Sequence, residues 1–296
     1  MADSTTIGVY AHSYSEKNPT PAQQQALLAE AELLGYSNFN LIMLASLHVH
    51  DDGTIYYGDT PMISGGQPSG QLTPNLATCI SRMKGSASDG TVLASFGGGG
   101  LFHGEAVGWY DFTHIQALID QYPNPADNPF FQNLACLFST YPIDGFDIDL
   151  ESYQGYDAFT PTLITIIEWL RKNGRIATLC PYDAPDFWCN VVKQTQSSGA
   201  PTIAWVNLQN ASGTLPEFVT QLDGVGVGLG GIVGGLQVNS MTTDEVTSYF
   251  QGIASSYPGI GGGWLWDLET FGLPNTVAYA SAVLAGLAQT GSERAA

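Results

Sequence analysis

Between Asp144 and Glu151 the chain reads Asp-Gly-Phe-Asp-Ile-Asp-Leu-Glu. Side chains alternate across a β-strand, so Asp147, Asp149 and Glu151 fall on one side and Phe146, Ile148 and Leu150 on the other. Three carboxylates held together in a protein interior repel one another and are poorly solvated. Both effects favour the protonated form, so a shared proton is expected. That is the requirement for cleaving a glycosidic bond: a neutral carboxylic acid that protonates the leaving oxygen, beside a carboxylate that stabilises positive charge. Two other readings of the same residues stay open, a buried hydrogen-bond cluster and a hard-metal site built of carboxylates. Against the second, no other strand ends in a matching Asp/Glu pair, and neither a metal nor a cofactor is expected.

The elements around this strand must hold it in a sheet. Short β-rich runs alternate with amphipathic helical stretches along all 296 residues. Strands are expected at Thr6–Ala11, Asn38–His48, Thr91–Phe96, Gly145–Glu151, Arg175–Pro181, Thr202–Leu208, Val225–Leu229 and Gly262–Trp266. Helices are expected after Pro21, over Pro74–Lys84, Asp111–Tyr122, Asn128–Tyr141, Pro161–Asn173 and Val277–Gln289, with a long loop before Pro74. Eight strands alternating with helices imply parallel strands with crossover helices. The length suits one α/β domain, a (β/α)₈ TIM barrel spanning 1–296. A doubly wound open sheet is the alternative, but its Gly-x-Gly-x-x-Gly turn is missing after the first strand. In a barrel, Glu151 lies at the mouth, Asp149 one pleat deeper and Asp147 deeper still.

Composition narrows the partners. Lys and Arg number 8 against 27 Asp and Glu, a formal net charge of -19. Such a field repels phosphate backbones and anionic headgroups, so neither nucleic acid nor a membrane surface is an expected partner. No apolar run reaches the ~18 residues that would span a bilayer. Cys79, Cys136, Cys180 and Cys189 include no Cys-x-x-Cys pair, which argues against structural zinc. Cys180 and Cys189 are close enough in sequence for a disulfide, though free thiols are the expectation. The chain opens Met1-Ala-Asp-Ser-Thr-Thr directly into a strand without a leader pattern, leaving a mature secreted form or a cytoplasmic protein.

The segment Asp144–Glu151 resembles the D-G-x-D-x-D-x-E motif of glycoside hydrolase family 18, the chitinases and endo-β-N-acetylglucosaminidases. Ser95-Phe96-Gly97-Gly98 is similar to that family's third strand, and Gly261-Gly-Gly-Trp-Leu-Trp266 to its last. Leu179-Cys180-Pro181 with Ala184-Pro185-Asp186 resembles the fifth strand and its loop, and Tyr10 the first-strand tyrosine of plant-type members. The resemblance implies a retaining, substrate-assisted glycosidase acting on N-acetylglucosamine-containing oligo- or polysaccharides, as a secreted monomer. In it the substrate's 2-acetamido oxygen is the nucleophile. By this likeness Glu151 is the acid/base and Asp149 orients the acetamido group. Asp147 tunes Asp149 by sharing a proton, and Asp144 is architectural. Trp266 floors the sugar site. Tyr10, Ser95, Asn207, Gln209 and Tyr182 complete the expected substrate contacts.

The sequence departs from the family at the sixth strand, where Asn207 and Gln209 stand for a Gln and a Tyr. The family's Tyr donates its hydroxyl to the acetamido group; Gln209 can donate from its amide, and Tyr182 offers a second hydroxyl. The departure favours one rival reading, a non-hydrolytic glycan-binding relative; the missing leader pattern alone supports another, an acid-promoted rearrangement of a small metabolite. His12, His48, His50 and His103 are expected around the mouth, where a metal site is the minor alternative to substrate contacts. Trp109, Trp188, Trp205 and Trp264 divide between core and sugar-stacking surface.

Overall fold

The computed structural model describes residues 5–15, 17–72, 75–85, 90–99, 101–102, 105–151, 156–197, 203–209 and 213–288, with the side chains of 101–109 and 197 excepted. Eight parallel strands close into a barrel: β1 (Thr6–Ala11), β2 (Leu41–Val49), β3 (Thr91–Gly97), β4 (Gly145–Asp149), β5 (Ile176–Leu179), β6 (Val206–Leu208), β7 (Ile232–Gln237) and β8 (Gly262–Trp266). Each pairs with its neighbour in chain order, and β8 returns to β1 through Thr6 opposite Gly262. Helices cover the outside, so the expected (β/α)₈ TIM barrel is what forms.

The strand alternation sorts the core into two layers. Outward residues, among them Val9, Ile42, Phe96, Phe146 and Ile148, join one continuous cluster with the helices. Phe96 and Phe146 stack with centroids 4.0 Å apart behind the acidic strand. Inward residues Tyr10, Met43, Leu93, Cys180, Val233 and Trp264 fill the barrel itself. The helices begin where local chemistry dictates. Thr20 and Gln23 form a capping box over Pro21–Tyr36, Asn128 caps Pro129–Thr140, and Thr242 with Glu245 repeats the box at Thr243–Ser256.

Two sequence expectations are corrected. The stretch expected as a long loop before Pro74 carries antiparallel strands at Ile55–Tyr57, which pairs onto the upper half of β2, and at Thr60–Ser64, which pairs onto that strand in turn. They extend the sheet past the barrel on that side. The seventh strand is not Val225–Leu229. A helix runs from Leu215 to Gly224, Gly226 has φ +84°, and the strand follows at Ile232–Gln237. Its middle is Gly234-Gly235, a pair that weakens any strand signal in sequence. Packing explains the second glycine: a Cβ on Gly235 would lie 2.3 Å from Cζ2 of the Trp264 indole.

The cysteines are all free thiols, so Cys180 and Cys189 form no disulfide. Among the described residues no helix is long and apolar enough to cross a membrane.

Candidate active site

Asp147 and Asp149 point from β4 into the barrel and are buried, while Glu151, just past the strand, is partly exposed at the mouth. The three stand at the depths expected from the pleat. Behind them Asp144 stays outside the barrel, paired with Lys84 Nζ at 2.6 Å and accepting from the Val92 amide. It anchors the foot of the strand, an architectural part.

Asp147 is caged. Its Oδ2 accepts from Tyr10 Oη (2.7 Å) and Ser95 Oγ (3.0 Å); its Oδ1 accepts from Asn207 Nδ2 (2.9 Å) and Thr178 Oγ1 (2.5 Å). A carboxylate has about four lone-pair sites, so neutral donors from β1, β3, β5 and β6 saturate this one. The cage revises three expected substrate contacts. Tyr10, Ser95 and Asn207 are almost fully buried and spend their donors beneath the acids, on Asp147, instead of facing a ligand. Thr178 was not singled out in the sequence; one polar residue in a short apolar strand was the available signal.

Asp149 and Glu151 form the upper pair. Burial, then the charges of Glu151 and Asp147, push the Asp149 carboxyl well above the usual carboxylate range, with the Cys180 thiol and the Gln209 amide opposing the shift. Glu151 is raised chiefly by burial and further by Asp183, against hydrogen bonds from Gln209 and Asp149. Asp183 is held by the Tyr156 hydroxyl at 2.5 Å. Gln209 Nε2 bridges the pair, 2.9 Å from Asp149 Oδ1 and 2.8 Å from Glu151 Oε1. On the far side the backbone at Gly99 comes so near that a Cβ there would lie 2.6 Å from Glu151 Oε2.

Above the acids opens a cavity of about 250 Å³, walled by Glu151, Gln209, Tyr182, Gln237, Trp264 and Trp266. Trp266, at the end of β8, is partly exposed, and its ring meets Tyr10 at 5.2 Å and His12 edge-on at 4.8 Å. The structure thus brings Gln209, Tyr182 and Trp266 to the cavity, as expected, and adds Gln237 and Trp264. Among the described residues the buried Trp264 indole nitrogen has no hydrogen-bond partner. Two peptide bonds at the mouth, Ala45–Ser46 and Trp266–Asp267, are cis. The cavity carries acid–base groups, an aromatic wall and amides, a set suited to a neutral polyhydroxylated ring.

The histidines do not converge. His48 is buried against Asp111 (3.0 Å), His50 stacks on Tyr56, and His12 packs on Trp266; His103 lies outside the described residues. Among the described residues no group of three His, Cys, Asp or Glu could hold a metal ion. Trp188 is core and Trp205 donates to Asn207 Oδ1 at 2.8 Å, while the Trp109 side chain lies outside the described residues.

No protein-family profile and no curated protein matches the chain. Solved structures do. The GH18 chitinase ChiB of Flavobacterium johnsoniae superposes with a TM-score of 0.63 at 12% identity, over 98% of this chain and 96% of that one. The Group IV chitinase of Ostrinia furnacalis, in complex with allosamidin, gives 0.63 at 11%, over 97% and 99%. Active domain 2 of the Pyrococcus furiosus chitinase, complexed with chito-oligosaccharides, gives 0.61 at 12%, over 97% and 96%. The likeness is one of fold across nearly the whole chain.

Proposed function

We propose that this protein is a retaining glycoside hydrolase of the family 18 type, cleaving β-1,4 linkages next to N-acetylglucosamine in chitin oligomers or the N-glycan core. The observation that carries the reading is the Asp149–Glu151 pair, raised and hydrogen-bonded, directly beneath an aromatic-walled cavity. The fold shared with chitinases, one of them complexed with chito-oligosaccharides, supports it.

In the proposed reaction Glu151 gives its proton to the glycosidic oxygen as the bond to C1 breaks. The substrate's acetamido oxygen attacks C1 from the opposite face and forms an oxazolinium-like intermediate, which makes the mechanism substrate-assisted. Asp149 accepts from the acetamido N–H and stabilises the cation. Glu151 then removes a proton from water as that water attacks C1, restoring the acid with net retention. Trp266 stacks on the C–H face of the sugar. The acidic surface leaves uncharged glycans unopposed. The whole chain is proposed as one secreted, monomeric catalytic domain that needs no metal or cofactor.

The test is release of a fluorophore from a chito-oligosaccharide glycoside and of glycan from an N-glycoprotein. Glu151→Gln is expected to abolish turnover while circular dichroism stays native. A wild-type protein inert on both substrates would sink the substrate assignment. Gln209 favours one second reading, a glycan-binding relative without turnover, because an amide replaces the phenol expected at that strand end. Calorimetric binding of chito-oligosaccharide with no product formed would select it.

A further inference from the structure

A phenol has a single hydrogen to give, whereas the Gln209 amide nitrogen has two. Both are directed at carboxylates, Asp149 Oδ1 at 2.9 Å and Glu151 Oε1 at 2.8 Å, with the Cys180 carbonyl more distant at 3.4 Å. Two carboxyls gathered around one amide nitrogen repel each other when both are ionised, so the pair favours sharing one proton.

Other titratable groups surround the pair on β1, β4 and the end of β5, while β3 and β6 carry none. Asp147 lies below on β4, and Tyr10 from β1 reaches it through Asp147. The Cys180 thiol at the end of β5 contacts Asp149, and Asp183 follows just beyond it, beside Glu151. These are acids, a phenol and a thiol. Among the described residues no Lys, Arg or His forms an ion pair with Asp149 or Glu151. Gln209 is therefore the nitrogen donor shared by the two carboxyls, and being an amide it neither supplies nor takes a proton.

We infer that Gln209 is a positioning residue that locks Asp149 and Glu151 into one hydrogen-bonded unit holding a single proton between them. The inference deepens the glycosidase reading and rests on it for its effect on activity. The physical claim concerns the carboxyls alone. Each N–H favours the charged form of the carboxyl it meets and so opposes burial and mutual repulsion, both of which favour protonation. Without the amide the unit holds its proton to higher pH, and Glu151 is no longer tied down beside Asp149.

The decisive measurement is an infrared difference titration of the carboxyl bands, assigned with Asp149→Asn and Glu151→Gln and repeated in Gln209→Leu and Gln209→Met. Removing hydrogen bonds to charged groups should move the midpoints of the pair upward by about one pH unit. Gln209→Tyr, which restores one donor, should fall between. Unchanged midpoints in a natively folded Leu or Met variant would overturn the inference. Two non-polar variants guard against one of them misfolding. In the activity arm both limbs of the kcat/KM profile should move up together with KM little changed. A raised KM with an unmoved profile would instead make Gln209 a substrate contact and overturn the positioning role. If the wild type hydrolyses nothing, the glycosidase reading fails, and the carboxyl titration still decides the role of Gln209.

Discussion

Tyr10→Phe removes a single oxygen from the floor of the barrel, and its cost separates a structural prop from a substrate contact. The Tyr10 hydroxyl is buried, 2.7 Å from Asp147 Oδ2, with the Cys180 sulfur at 3.0 Å. The ring keeps its contacts with Trp264 and Trp266, so no cavity larger than the lost oxygen opens. What is lost is a hydrogen bond to a buried carboxylate, worth roughly 1.5–3 kcal/mol. The other three donors remain, leaving one acceptor site of Asp147 bare. In urea this loss should lower the unfolding midpoint by roughly 0.5–1 M, for a slope near the top of the usual range. The effect must depend on the charge it serves. In an Asp147→Asn background the acceptor is neutral, and the cost of Tyr10→Phe should shrink to about 0.5–1.5 kcal/mol. Equal costs in the two backgrounds would refute the cage, as would an undisturbed midpoint in the single variant.

Four further outcomes follow from the same geometry. The Asp149 carboxyl is raised in the folded state, so the native protein binds more protons than the unfolded chain above the ordinary carboxyl pKa of ~3.9. The associated stability is present below that pH and is lost as pH rises through the folded value; Asp149→Asn should therefore flatten the stability profile and make the variant the more stable form at neutral pH, read by denaturation across pH. Gly99→Ala places a methyl 2.6 Å from the mobile end of Glu151. Its midpoint should stay within about 0.5 kcal/mol of wild type, while displacement of the acid lowers kcat on the order of a hundredfold. Gly235→Ala drives a methyl to 2.3 Å from the Trp264 ring, costing about 1–3 kcal/mol, and Trp264→Leu should recover much of that cost in a double-mutant cycle. Glu151→Gln should leave thermal stability equal or higher, because a raised, buried acid gives way to a neutral amide.

The acidic strand was legible because two simple rules coincide in it. Alternation put Asp147, Asp149 and Glu151 on one face, and the outward Phe146, Ile148 and Leu150 are in fact buried under the helices. The depth of the polar residues on the neighbouring strands was not legible. Tyr10, Ser95 and Asn207 were expected as substrate contacts from the family likeness, yet only the assembled barrel shows that they end below the acids. Strand seven was misplaced because Gly234 and Gly235 have no strand preference of their own, and the second is selected by a neighbour 29 residues away, Trp264 opposite it. The sheet extension at Ile55–Ser64 was hidden for a related reason: Gly58, Gly65 and Gly66 punctuate it like a loop, and its pairing partner lies in β2. Gln237 and Asp183 carry no local pattern at all; they matter through proximity to Glu151 and the cavity.

The cage around Asp147 has a consequence for how the chain acquires its structure. The four donors stand 137, 52, 31 and 60 residues from the carboxylate they serve, one on each of four strands. No sheet lacking β1, β3, β5 or β6 can satisfy it. A half-formed barrel lacking β1 or β6 leaves an ionised group with open lone pairs, and water must stay in the interior to solvate it. Dehydration of the barrel and completion of the cage are then the same event, late in folding because it depends on contacts as far apart in sequence as Tyr10 and Asp147. Asp147 acts as a check on ring closure, and the chemistry above it becomes available only to molecules that have passed.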